Sequence, residues 1–339
     1  MKLFKTVTTG VAAALMAVTV FAISTTAKAS EADWPKKPIT VIVGFGAGGG
    51  TDTYARILAS VIPPFINNQP LIVVNKAGGA QVPAMKFTAK SKPDGYTMQF
   101  FSTGSGVLAT MIKDRGVDWF EDFRPVAQIG SLNLMLAAPK SKGFNTPNDL
   151  VKAINEAHAK GKKLRWGHPG RGSVTNLSVV SWLTKNGLAD KVQDVPFKGG
   201  APTKAALLGA QVDFGVLAVI HIKGLHDKLS GLAIFANERD PIRKEVPAMK
   251  ESGLPFVPFY SPMIMAVPAK TPQYVIDKMQ AAIKQATETK AFKKLTQKVG
   301  AVVEYRDAGP TLEMMKKLRD QWQPTVDMIK KSRADAAKS

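Results

Sequence analysis

From residue 38 onward the chain alternates short apolar, β-branched runs with stretches of helical spacing. Residues 38–45 (PITVIVGF) read as a buried strand. Residues 51–62 put Tyr54, Leu58, Val61 and Ile62 on one side of a helix. A second strand follows at 70–75 (PLIVVN), then a helix at 81–90 that a KPDG turn (92–95) ends, then a third strand at 96–101 (YTMQFF). This β-α-β-α-β order favours a parallel sheet with helices on its faces. A second such unit starts near Phe123. Residues 126–139 are strand-like, and Thr146 is a plausible N-cap, with Pro147 at the first position, for a helix through 150–160. Strands at 164–167 and 192–197 each lead through a Gly-rich loop into helices at 176–186 and 202–208, and strands at 212–218 and 232–236 complete this half. The tail reads as helices at 271–287, 290–299 and 311–331.

The first residues stand apart from this pattern. Lys2 and Lys5 precede a short apolar run at 11–23, and Ala27-Lys28-Ala29 has the small-residue form of a cleavage site. This is a secretory leader expected to be cut after Ala29. The apolar run is shorter than the ~20 residues a membrane span needs. No second long apolar run follows, so the mature protein is expected to be soluble and exported.

Composition narrows the chemistry. The 339 residues, 45% of them hydrophobic, suffice for two domains with sizeable cores. The complete lack of cysteine removes disulfides, thiolate metal sites and thiol nucleophiles together. Four histidines leave little for metal or general-base chemistry: His221 and His226 are five apart, off helical spacing, and with His158 they read as surface side chains. No metal or cofactor is expected. The formal charge of +20 becomes +17 once Lys2, Lys5 and Lys28 leave with the leader. That excess raises nucleic-acid binding, but the basic residues are spread along the chain without interleaved aromatics.

The most conspicuous loop is GFGAGGGTD (44–52), between the first strand and the first helix. Gly44, Gly46 and Gly49 satisfy G-x-G-x-x-G, yet the next strand ends in Val74-Asn75-Lys76 without the carboxylate that dinucleotide binding requires. What survives is an exposed backbone at a helix N-terminus, suited to a small carboxylate. A tight turn capped by Asp52 or Thr51 is compatible with that use. GHPGRGSVTN (167–176) repeats the arrangement with Arg171, Ser173 and Thr175. Ser102-Thr103-Gly104-Ser105 and Lys198-Gly199-Gly200-Ala201 also follow strands, each as a ligand loop or a plain turn.

Several motifs, in order, resemble one family. These are WPKKP (34–38), VGFGAGGGTDTYAR (43–56), VVNKAGGA (73–80), PDGYT (93–97), DFRPV (122–126), GRGS (170–173), PFKGG (196–200), QVDF (211–214) and KESGLP (250–255). The chain resembles the Bug-type extracytoplasmic solute receptors of tripartite tricarboxylate transporters. The resemblance implies an α/β, two-domain periplasmic-binding-protein fold (Venus-flytrap, type II-like) with a hinge between two parallel-sheet domains. It places domain 1 at 30–130 and 258–339 and domain 2 at 131–257. It implies capture of a di- or tricarboxylate, or an aromatic carboxylate, by a monomer that delivers it to integral-membrane transporter components. The ligand contacts it implies are Phe45, Ala47, Gly48, Gly49, Thr51 and Asp52 on one side, with Gly170, Gly172, Ser173, Lys198, Gly199 and Gly200 on the other. Ser102, Thr103 and Ser105 join them from the loop after the third strand. Leu217 falls near a position where some members place an Asp that meets a ligand ammonium, so amino acids are not expected to be favoured. The rival readings are a receptor feeding a two-component sensor and a periplasmic hydrolase using Ser173 with a histidine.

Overall fold

The computed structural model describes residues 33–336, so the leader lies outside the described residues. In chain order the first half holds β1 (Ile39–Val43), α1 (Gly50–Val61), β2 (Leu71–Asn75), α2 (Val82–Ala89), β3 (Thr97–Ser102), α3 (Thr103–Ile112), α4 (Trp119–Asp122) and β4 (Phe123–Pro139). There follow α5 (Pro147–Ala159), β5 (Leu164–His168), α6 (Val174–Lys185), β6 (Val192–Pro196), α7 (Gly200–Leu208), β7 (Phe214–Ala218) and β8 (Leu229–Ile234). The last elements are β9 (Tyr260–Pro268), α8 (Gln273–Glu288), α9 (Lys290–Val299), β10 (Val302–Asp307) and α10 (Ala308–Ala336).

The ten strands of the described residues join one sheet ordered β2-β1-β3-β9-β4-β7-β5-β6, with β8 and β10 also paired to β4. The predicted parallel order holds for β2-β1-β3 and for β5 with β6 and β7. The sheet is mixed, however, because β9 runs antiparallel between β3 and β4. β9 and β10 were not expected from the pattern. Residues 260–268 (YSPMIMAVP) are apolar from Pro262 onward, buried on both faces, and carry two prolines, so they lack the alternation that marks a strand.

β4 organises the molecule. Its first part, to Asn133, pairs with β9 and β10, and from Leu134 onward it pairs with β7 and β8. One continuous strand therefore serves two groups of strands. The chain returns past it through 235–260, where Phe259 N–H donates to Phe235 C=O at 2.9 Å. No helix among the described residues is long and apolar enough to cross a membrane.

Three apolar clusters hold these layers. One packs Tyr54, Leu58, Ile276, Ile283 and Phe292 of the helices on Ile39, Val41, Phe100 and Met263 of the sheet. A second gathers Phe101, Trp119, Trp166, Trp182, Phe214 and Trp322, drawing on residues from both strand groups. α10 contributes Met315, Leu318, Trp322, Val326 and Ile329, a three-and-four spacing that puts one stripe inward. The third packs Met135, Leu207, Val212, Leu217 and Ile222.

Candidate functional site

α1, α3, α6 and α7 begin around one small cavity. It is lined by Gly49, Gly50 and Thr51, by Ser102 and Ser105, by Val174 and Thr175, and by Gly200. Phe45, Leu132, Leu134, Pro169, Ala218, His221 and Ser261 complete the wall. At α1, α3 and α7 the N-cap residues Gly49, Ser102 and Gly199 make no side-chain capping bond. Free first-turn N–H groups and the helix dipoles thus converge on one space. Its lining carries hydroxyls and one imidazole and no carboxylate. This is an environment for an anion with polar oxygens.

The first glycine loop is fixed from behind. The buried Asp52 carboxylate accepts Gly48 N–H at 2.9 Å, Asn75 Nδ2 at 2.9 Å and Arg56 Nε at 2.9 Å. Asn75 Nδ2 also donates to Phe45 C=O at 2.9 Å. Burial pushes the Asp52 carboxyl up, but the bonds from Arg56, Gly48 and Asn75 outweigh it and hold the pKa below the ordinary value. Gly44 is required by packing, since a Cβ there would lie 2.1 Å from Gln81 Cβ.

The loop before α6 is fixed by its own hydroxyls. Ser173 caps the helix, accepting Asn176 N–H at 3.2 Å and donating to Gly170 C=O at 2.6 Å. Asn176 Oδ1 accepts Gly172 N–H at 2.9 Å. Ser105 Oγ accepts Val174 N–H at 3.1 Å, joining α3 to α6. Ser102 and Ser261 hydroxyls share a 2.6 Å bond. Buried His168 lies on the end of β5, with Nδ1 accepting Gly170 N–H and Nε2 3.4 Å from Asp194. Burial lowers its pKa more than Asp194 raises it. Among the described residues Ser173 Oγ bonds to Gly170, Thr175 and Asn176 and to no histidine nitrogen, which leaves the hydrolase reading without its base.

The third glycine loop meets the first. A Cβ on Gly199 would lie 3.2 Å from Gly46 N, and one on Gly46 would lie 3.0 Å from Lys198 O. The cavity holds only about 40 Å³ between them, room for a few waters at most.

Of the residues expected at the ligand, Phe45, Gly49, Thr51, Ser102, Ser105 and Gly200 line this cavity. Ala47, Gly48 and Lys198 are exposed outside it. Asp52 and Ser173 are engaged in holding their loops, and Gly170 and Gly172 shape the bend before α6. Gly199 forms the loop contact, and Thr103 is buried in the first turn of α3 without lining the space. Leu217 points away into the cluster with Met135 and Leu207; its neighbour Ala218 faces the cavity. The expected loop at 102–105 is the start of a helix. Its glycines lower helix propensity but permit close packing, with a Cβ on Gly104 only 3.1 Å from Val174 Cγ2. His221 is a correction of a different kind: expected at the surface, it is 8% exposed and lines the cavity. Among the described residues no group of three or more acidic or histidine side chains could hold a metal ion.

Comparison with known proteins gives this geometry a context. Residues 55–332 match the tripartite tricarboxylate transporter family receptor, TctC. The chain belongs to this family. Its members are solute-binding receptors of periplasmic transport rather than enzymes. It is similar to protein BugT of Bordetella pertussis, at 30% identity over 275 residues, 78% of this chain and 81% of BugT. Among solved structures it is similar to MatC from Rhodopseudomonas palustris with bound malate, at 26% identity and a TM-score of 0.79, covering 86% of this chain and 100% of MatC. The fold is also that of an R. palustris protein solved with adipate, at 23% identity and a TM-score of 0.77, covering 87% and 98% of the two chains. The chain is a TctC solute-binding protein with the mixed α/β periplasmic-binding-protein fold.

Proposed function

We propose that this receptor captures a small non-amino carboxylate in the cavity where the four helices begin, and hands it to the membrane components of its transporter. The carrying observation is the convergence of uncapped helix N-termini on a hydroxyl-lined space with no carboxylate of its own. Support for the ligand class comes from MatC, solved with bound malate. We take 30–130 and 258–339 as one domain and 131–257 as the other. The change of partners along β4 near Leu132–Leu134 favours a hinge there.

In this closed arrangement the cavity of about 40 Å³ is too small for a dicarboxylate, so the ligand enters when the halves separate and they close again around it at a wider setting. A ligand that bridges the loops then stabilises the closed state by its differential affinity for it. The mature chain is taken to start after Ala29 and to act as a monomer in the periplasm.

Thermal melts of the mature protein with malate, adipate, citrate, benzoate and aspartate test this reading. Stabilisation grows with the ratio of ligand concentration to Kd. At least one non-amino carboxylate should raise Tm by several degrees at millimolar concentration. Aspartate should bind at least about tenfold more weakly than malate, because no lining carboxylate would receive its ammonium. No shift with any of the four non-amino acids would overturn it.

A further inference from the structure

His221 lies in the turn just after β7. Its side chain is 8% exposed, and neither ring nitrogen has a hydrogen-bond partner. A neutral imidazole has one donor and one acceptor to satisfy. Leaving a buried polar group unpaired costs free energy that a ligand can recover. The ring sits under the first residue of α7, where a Cβ on Gly200 would fall 2.3 Å from Cε1. Glycine at 200 is thus what allows an imidazole to reach the cavity.

The ring borders two spaces. One is the cavity between the glycine loops. The other is an open pocket of about 380 Å³, framed with it by Lys204, Lys223 and Lys298. Lys204 comes from α7, Lys223 follows its own turn, and Lys298 closes α9. On α1 the Asp52 carboxylate is turned to Arg56 and Asn75. β8 and the part of β4 from 126 onward bring no titratable side chain. No carboxylate lines either space. His221 therefore sits in a positive surrounding without a counter-anion.

We propose that His221 contacts the ligand directly, donating a hydrogen bond to a carboxylate oxygen in the cavity and taking up a proton from solvent as the anion binds. This rests on the carboxylate reading above and adds the residue and the proton. The neutral ring gains one proton and becomes an imidazolium, whose charge the bound carboxylate balances. In the empty protein, burial and Lys204 push the imidazole down to about 4. An anion beside the ring favours its charged form and raises that value. The complex then holds more protons than the free protein, so affinity rises as pH falls from about 8 toward 5. An imidazolium at this position also repels ligand ammonium groups, a second reason for the site to discriminate against amino acids.

The test is calorimetric titration of the mature protein with malate, adipate, citrate and benzoate at pH 6, in Bis-Tris and in MES, whose ionisation enthalpies differ. The tightest binder should show uptake of roughly 0.6 to 0.9 proton per ligand, and its Kd should tighten about three- to tenfold from pH 8 to pH 6. His221→Gln should abolish the uptake, flatten the pH dependence and weaken binding at pH 6 by about tenfold. If that variant melts before it can be titrated, histidine NMR of the wild-type protein with the same acid decides instead: the His221 imidazole pKa should rise on binding. Binding without proton uptake, uptake unchanged in His221→Gln, or an imidazole that does not respond would overturn the proposal while leaving carboxylate capture intact. Failure of all four acids to bind would overturn both.

Discussion

At the scale of single residues, the site separates groups that face the cavity from groups that hold the facing ones in place. Asp52 is of the second kind, since its oxygens are taken by Gly48, Asn75 and Arg56. Asp52→Ala should leave the first glycine loop unanchored and weaken carboxylate binding by about tenfold or more, read by calorimetry. Leu217 was expected beside the ligand and is instead core. Leu217→Ala should therefore destabilise the fold by about 2–5 kcal/mol in urea unfolding and leave the order of preference among carboxylates unchanged. The buried histidines set a pH limit. His221, at about 4 when folded and near 6.5 when unfolded, binds fewer protons folded than unfolded between those values. Stability should fall as pH drops through that window, by at most about 1.4 kcal/mol per pH unit from this group. His168 is also lowered and adds in the same direction. Melts between pH 7 and pH 4 check this, and saturating carboxylate should reduce the slope.

At the scale of elements, the site is made of helix beginnings. Ser173 caps α6 through Asn176 N–H, so Ser173→Ala should cost about 0.5–2 kcal/mol of stability. The strand-to-helix order, the Thr146 cap and both glycine loops were legible from apolar spacing and turn residues; the capping box that Asp149 adds came from the structure. α3 was not. Its start, TGSG, looks like a turn, and its helical state depends on packing against α6 and β9. β9 and β10 were not legible either. The first is apolar on both faces and the second has no strong alternation, so only their partners identify them.

At the scale of the whole molecule, β4 links the two strand groups, and the loops at Gly46 and Gly199 touch. Gly199 has φ +123 and almost no room for a side chain. Gly199→Val should hinder closure, weakening carboxylate binding by about tenfold or more. Small-angle scattering should then show ligand-induced compaction in the wild-type protein and its loss in the variant. The net positive charge should act at this scale too, as a field that favours anion association and that salt screens, so carboxylate association should slow as ionic strength rises.

The sequence by itself determined an alternating α/β chain with glycine-rich loops between strands and helices, because apolar period and turn chemistry are local properties of the chain. It also removed thiol chemistry outright. Only the tertiary structure decided which residues meet. It buried His221 without a partner, turned Leu217 into the core, committed Asp52 and Ser173 to their loops, and brought Ser261 from a strand more than 150 residues away to Ser102. These outcomes depend on contacts between segments distant in sequence. A side chain's own identity does not say whether the neighbours that arrive there will be water, a hydrogen-bond partner or an empty space awaiting a ligand.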